Sequence, residues 1–176
     1  VWYLGMLGLR SIIKLIVSFS LGIFLGLVTK TKFESKNFVL ADWEDPPMVV
    51  VCPNSGVSAY RVNRAIEWWG IRNKKIAGYH FDHDDKICSI GQFVEGIIFI
   101  RGHAMYDPNL YASTARFTVG FRILSADIHL PNKRKNMSRL LEHEMGHALG
   151  FGHVEILGHM MHPIHEMGGE SFWIPD

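Results

Sequence analysis

Leu141-Glu142-His143-Glu144-Met145-Gly146-His147-Ala148-Leu149-Gly150-Phe151-Gly152-His153 is the stretch that decides how the rest of the chain is read. His143 and His147 stand four residues apart, so on a helix they share one face and can aim imidazole nitrogens at a single ion. Glu144 lies one residue round from the first of them, in reach of a water held there. Gly150 lets the chain leave the helix through a left-handed conformation that costs glycine little. The turn then returns His153 as a third ligand. Three histidines leave one tetrahedral position open, which marks a catalytic zinc site rather than a closed structural one. Two plainer readings compete: a helix with unrelated exposed histidines, and a zinc site kept for structure alone. The joint spacing of the fixed positions weighs against the first, and Glu144 with the open fourth position weighs against the second.

Residues 136–150 read as the helix that carries this motif, with Asn136 or Ser138 at its start and Gly150 beyond its end. Upstream, residues 123–130 alternate at Ile123, Ser125, Asp127 and His129 like a strand, and residues 117–121 predict another. Residues 96–101 (Gly-Ile-Ile-Phe-Ile-Arg) are rich in branched and aromatic side chains, as a strand requires. Residues 76–81 predict a further strand, and residues 48–52 a first one, stopped by Pro53-Asn54-Ser55-Gly56. Between those two, Val62, Ala65, Ile66 and Trp69 recur at helical spacing, with Ser58 as N-cap and Gly70 near the end. Trp68 and Trp69 are expected to pack this helix against the sheet. The order is strand, helix, several strands, helix: an α/β pattern.

The pattern His-Glu-x-x-His-x-x-Gly-x-x-His resembles the signature of the metzincin zinc endopeptidases. Gly158-His159-Met160-Met161-His162-Pro163 resembles their methionine turn, with Met161 eight residues after His153. That spacing and the Met-x-Pro ending are similar to the matrixins. Where astacins and serralysins place a zinc-approaching tyrosine, this chain has Pro163, and Val154 stands where matrixins usually carry serine. No cysteine-switch propeptide is visible. Ser125-Ala126-Asp127-Ile128 is similar to a strand upstream of the family's helix, and the resemblance covers residues 48–165.

The resemblance implies an α/β (α+β) domain with a twisted, mostly parallel sheet, an antiparallel edge strand, an active-site helix and a Met-turn. It implies one catalytic zinc on His143, His147 and His153, with Glu144 taking a proton from water and passing it to the leaving amine. Met161 would form an apolar floor beneath the imidazoles. Pro163, Ile164 and His165 would form the wall of the pocket that receives the side chain after the cleaved bond. An edge strand, residues 117–121, would pair with an extended peptide, so the implied partner is a peptide or protein substrate. A second class of function stays open: a non-catalytic binding or structural protein, membrane-anchored or particle-associated, that keeps the zinc shell.

Composition narrows the rest. Among 176 residues, 18 Lys+Arg face 17 Asp+Glu, a net charge of +1 that argues against an electrostatic nucleic-acid binder. Hydrophobic residues at 48% and charged residues at 20% exclude wholesale disorder. Arg10 and Lys14 are the sole charges before residue 29, so residues 1–32 read as a hydrophobic helix, either a membrane anchor or an export signal. Residues 33–47 read as a linker and residues 48–176 as the protease-like domain, outside the cytoplasm, whether membrane-anchored or secreted. His80, His83, Asp84 and Asp85 offer ligands for a second zinc or for calcium, against the plainer reading of a polar loop. Glu166 lies at a spacing reminiscent of the thermolysin-like glutamate ligand, but His153 accounts better for the third position. His159, His162 and His165 are expected to face solvent for the most part. Cys52 and Cys88 either pair in an oxidising compartment or remain two buried thiols.

Overall fold

The computed structural model describes residues 38–91, 93–103, 112–131 and 135–175. The expected N-terminal anchor or signal, residues 1–32, lies outside the described residues. Among those described, no helix is long and apolar enough to cross a membrane.

Five strands and two helices follow one another as β1 (Met48–Val51), α1 (Ala59–Gly70), β2 (Gly78–Phe81), β3 (Ile97–His103), β4 (Ser113–Val119), β5 (Arg122–Pro131) and α2 (Leu140–Ala148). They build a mixed α/β fold around one sheet of order β2-β1-β3-β5-β4. The pairs β1–β2, β1–β3 and β3–β5 are parallel, while β4 runs antiparallel to β5 at the edge.

Alternation along the central strands sorts the core into two layers. Val49, Val51, Ile98, Ile100, Ala126, Ile128 and Leu130 face both helices, where they meet Val62, Ala65 and Trp69 of α1 and Leu141, Met145 and Ala148 of α2. Val50, Cys52 and Phe99 face the other way, against Cys88 and the half-buried Ile87 and Val94. Among the described residues, neither α-helix covers that second face. Instead the loop after β2 lies across it, tied by the Cys52–Cys88 disulfide. Arg101 binds the same loop, donating to the carbonyls of Cys88 at 2.8 Å and Gly91 at 2.7 Å while its Nε meets the buried Asp127 carboxylate at 2.9 Å.

Several sequence boundaries move. Residues 38–43 are not linker: Phe38 and Ala41 are buried, Leu40 N–H donates to Gly150 O (2.8 Å), and Trp43 Nε1 donates to Ala148 O (2.9 Å). The compact unit therefore runs from Phe38 to Ile174. Composition hid this because the apolar run Phe38-Val39-Leu40-Ala41 is short and lies between the charged residues Glu34 and Lys36 and the acidic stretch from Asp42 to Asp45. The strand expected at residues 117–121 is β4, shifted toward its N-terminal side, and Gly120 in the left-handed region (φ 61°) turns the chain into β5. Helix α2 begins at Leu140 rather than residue 136, because Arg139 adopts a left-handed conformation (φ 64°) and no side chain caps the end. Neither Asn136 nor Ser138 serves as its cap. Ser58 does cap α1, accepting from Arg61 N–H at 3.4 Å.

Candidate metal centre

One helix and the turn beyond it hold the three histidines. His143 and His147 project from α2, and Gly150 (φ 103°) reverses the chain toward His153. A side chain at Gly150 would also strike the Ala41 carbonyl, so both conformation and close approach demand glycine. The three Nε2 atoms form a triangle with sides of 3.1 Å (His143–His147), 3.0 Å (His147–His153) and 3.3 Å (His143–His153).

The Nε2 atoms of His143 and His147 cannot be holding each other by a hydrogen bond. His143 Nδ1 lies 2.8 Å from Met160 O, and His147 Nδ1 lies 2.9 Å from Phe151 O. A carbonyl only accepts, so each Nδ1 carries the proton and each Nε2 is left as a bare lone pair. Two lone pairs facing across 3.1 Å repel unless a cation lies between them. Burial adds to the same bias: desolvation pulls the His143 pKa down to about 4 and the His147 pKa down to about 3, and it lowers His153 as well. All three rings are thus neutral near pH 7, the form a metal requires. Bonds of about 2.0 Å from one ion to three tetrahedral nitrogens span edges of roughly 3.3 Å, so the donor set fits zinc. Among the described residues the only other group of possible ligand atoms within 4.8 Å of one another is Asp82, Asp85 and Cys88.

That second cluster is structural. Cys88 is bonded to Cys52, and Asp82 is a buried carboxylate that accepts from the N–H groups of Lys86, Ile87 and Cys88. The Cys88 N–H bond is the main reason the Asp82 pKa falls below its ordinary value. His80, His83, Asp84 and Asp85, the sequence candidates for a second ion, are not brought together. His83 stacks on Phe81, Asp84 pairs with Lys86 at 3.1 Å, and all four are exposed. The turn built on Asp82 points these side chains to solvent.

Glu144 is buried on α2 beside the triad. Desolvation raises its pKa to about 7, and a hydrogen bond from Thr114 works against that rise. Thr114 stands on β4 and donates its hydroxyl to Glu144 Oε2 at 2.6 Å. Two positions along, Arg116 Nη1 donates to His147 O at 2.8 Å. Sequence reading missed both residues. Their alternation along β4 is visible in the chain, but the approach of an edge strand to this helix is not.

Met161 is fully buried against Gly146 of α2. A Cβ on Gly146 would collide with Met161 Sδ and Trp69 Cζ2, so the absent side chain is what brings both against α2 between the two ligands. Trp69 Nε1 also donates to Glu142 O at 2.8 Å, so this tryptophan, part of the core cluster on the sheet, ties α1 to α2 as well. The turn that carries Met161 is tied back to the chain after His153 by Val154 N–H donating to Met161 O (3.0 Å). His159 and His162 are buried rather than solvent-facing. His159 Nδ1 accepts from Met161 N–H at 3.1 Å and its Nε2 meets Trp173 O at 3.0 Å, while His162 Nδ1 accepts from Ile164 N–H at 3.0 Å. Both rings serve as internal braces of the turn.

A cleft of about 560 Å³ opens over the site. Thr114 and Arg116 line one side, Leu140, His143, Glu144, His147 and His153 the floor, and His162, Pro163, Ile164, His165 and Glu166 the other side. The volume is that of a small-ligand or peptide site. No protein-family model matches the chain, and no curated protein matches it.

Proposed function

We propose that the chain is a zinc-dependent endopeptidase of the metzincin type, similar to the matrixins, membrane-anchored or secreted with its domain outside the cytoplasm. The observation that carries this reading is the triangle of Nε2 atoms, two of them fixed as lone pairs by carbonyls at Nδ1, with a buried carboxyl in the same cleft. A structural site needs no carboxyl that is held near neutral pKa and left able to exchange a proton.

His143, His147 and His153 would hold zinc, which when bound supplies Lewis acidity that acidifies water and polarises a carbonyl. Glu144 is then the proton carrier: its carboxylate accepts from the attacking water at Oε and returns the proton to the departing amine. Thr114 fixes the rotamer of that carboxyl through the bond to Oε2. β4 has β5 on one side and no described strand on the other, so its free edge can add an extended peptide across the cleft. Pro163, Ile164 and His165 would shape the pocket beyond the cleaved bond.

The test is metal content by elemental analysis, together with cleavage of broad peptide libraries with and without chelator. Stoichiometric zinc and chelator-sensitive cleavage are expected. Glu144→Ala should lose at least about a thousandfold in kcat/KM while zinc stays bound. Full zinc with no cleavage across such libraries would favour the binding-protein reading.

A further inference from the structure

The arginines of this domain are mostly paired. Arg61 and Arg64 reach Glu142, Arg101 reaches Asp127, and Arg122 reaches Glu44 and Glu95. Arg72, Arg116 and Arg139 instead meet backbone carbonyls, and of these three only Arg116, half-buried and in contact with no carboxylate among the described residues, lines the cleft. Its partners are carbonyl oxygens, His147 O at 2.8 Å and Phe151 O at 3.4 Å, both reached through Nη1. Burial costs this guanidinium hydration that neutral carbonyls repay only in part, and it lowers the arginine's pKa. The acids that line the cleft are Glu144, committed to Thr114, and Glu166 on the wall beyond Pro163 and Ile164. The end of the cleft beside His147 and His153 is therefore cationic, and a divalent ion on the triad would make it more so.

Register says what would meet that charge. Thr114 and Arg116 project from the same face of β4, toward α2. A peptide added antiparallel to the free edge of β4 places its side chains on the same face as the residues they oppose, with Cβ atoms about 5 Å apart. Because that peptide runs against β4, its residue opposite Arg116 precedes the one opposite Thr114, where Glu144 waits.

We propose that Arg116 is a specificity-determining residue that selects substrates carrying a carboxylate side chain on the N-terminal side of the cleaved bond. The inference rests on the peptide-hydrolase reading of the same cleft. The structural role already visible, a cation tying the His147 carbonyl of α2 to the Phe151 carbonyl just beyond the helix, accounts for Nη1 alone. The remaining N–H groups of the fork are the ones available to a carboxylate.

The test uses the zinc-loaded full chain and two fluorescent peptide pools, identical except that one carries Glu wherever the other carries Gln. Binding is read by polarisation on Glu144→Gln protein, which prevents turnover, and cleaved bonds are mapped by mass spectrometry on the wild type. The Glu pool should bind about tenfold tighter, a charge-assisted hydrogen bond's worth, and the preference should shrink with added salt. Products should carry Glu before the new C-terminus. In Arg116→Gln the ratio between pools should fall to about one, and Arg116→Lys should retain part of it. Equal binding of the two pools, a preference that survives Arg116→Gln, or Glu found only after the cut would overturn the proposal. Should Arg116→Gln fail to fold, the pool comparison with Arg116 intact and the Lys variant still decide. Cleavage of both pools at one rate sinks the specificity and leaves hydrolysis standing. Acid-selective binding without any cleavage does the reverse.

Discussion

Gly146 sits between two histidines of the triad, and its missing side chain is the space that Met161 and Trp69 occupy. Gly146→Ala gains helix propensity, yet it must displace a methionine sulfur and an indole edge in a close-packed layer. Overpacking of this kind costs about 1–3 kcal/mol, more than the propensity gain, so chemical denaturation should show a net loss. A variant as stable as wild type would show that Met161 yields freely and is no fixed floor. Thr114 permits a finer measurement. Its hydroxyl is the one group that lowers the pKa of Glu144 against desolvation, so Thr114→Val should move that pKa above its value of about 7. NMR titration of the metal-free protein reads this directly, and an unmoved or lowered value would refute the assigned bond.

At the scale of elements, local signals and tertiary ones part company. The stripe Val62, Ala65, Trp69 marked α1 because burial at helical spacing is written into the chain, and Ser58 capped it as its type suggests. Ser58→Ala should cost about 0.5–1 kcal/mol, toward the low end because the bond is 3.4 Å long. No measurable change would mean that solvent satisfies the Arg61 N–H equally well. The start of α2 was not legible in the same way, since Asn136 and Ser138 are good caps that the left-handed Arg139 leaves unused. Among the described residues neither α-helix covers the second face of the sheet, so its cover depends on the Cys52–Cys88 link, which closes a loop of 36 residues in sequence separation. Chain entropy values such a link at about 4 kcal/mol, and replacing both cysteines by alanine should lower stability by roughly 2–4 kcal/mol. A much smaller loss would show that Arg101 and the apolar contacts of Ile87 and Val94 hold the loop unaided.

Across the whole molecule, protonation opposes folding below neutrality. Five histidines, His143, His147, His153, His159 and His165, have pKa values lowered by burial, so the unfolded chain binds more protons than the folded one below about pH 6.5. Glu144 and Asp127 are raised and act in the opposite sense, but they are two against five. The stability that these histidines contribute to the metal-free domain is therefore fully present above about pH 6.5 and should fall as pH drops through the window between the unfolded value and about 3. Thermal melts from pH 7.5 to 4.5 test this, and a flat profile would contradict the assigned burial. Zinc binding should steepen the dependence, because protons then compete for the ligand nitrogens.

The chain by itself determined which residues meet. The motif places two histidines on one helical face, glycine frees the turn that returns the third, and β-branched runs at intervals demand a sheet, all through forces that act within a few residues. Tertiary structure decided what surrounds them. Only the approach of β4 to α2 brings Thr114 to Glu144 and Arg116 to the end of the helix. Only packing buries His159 and His162 and draws residues 38–43 into the domain. Contacts between residues far apart in the chain depend on which surfaces remain to be covered once the elements form, and local spacing carries no record of that.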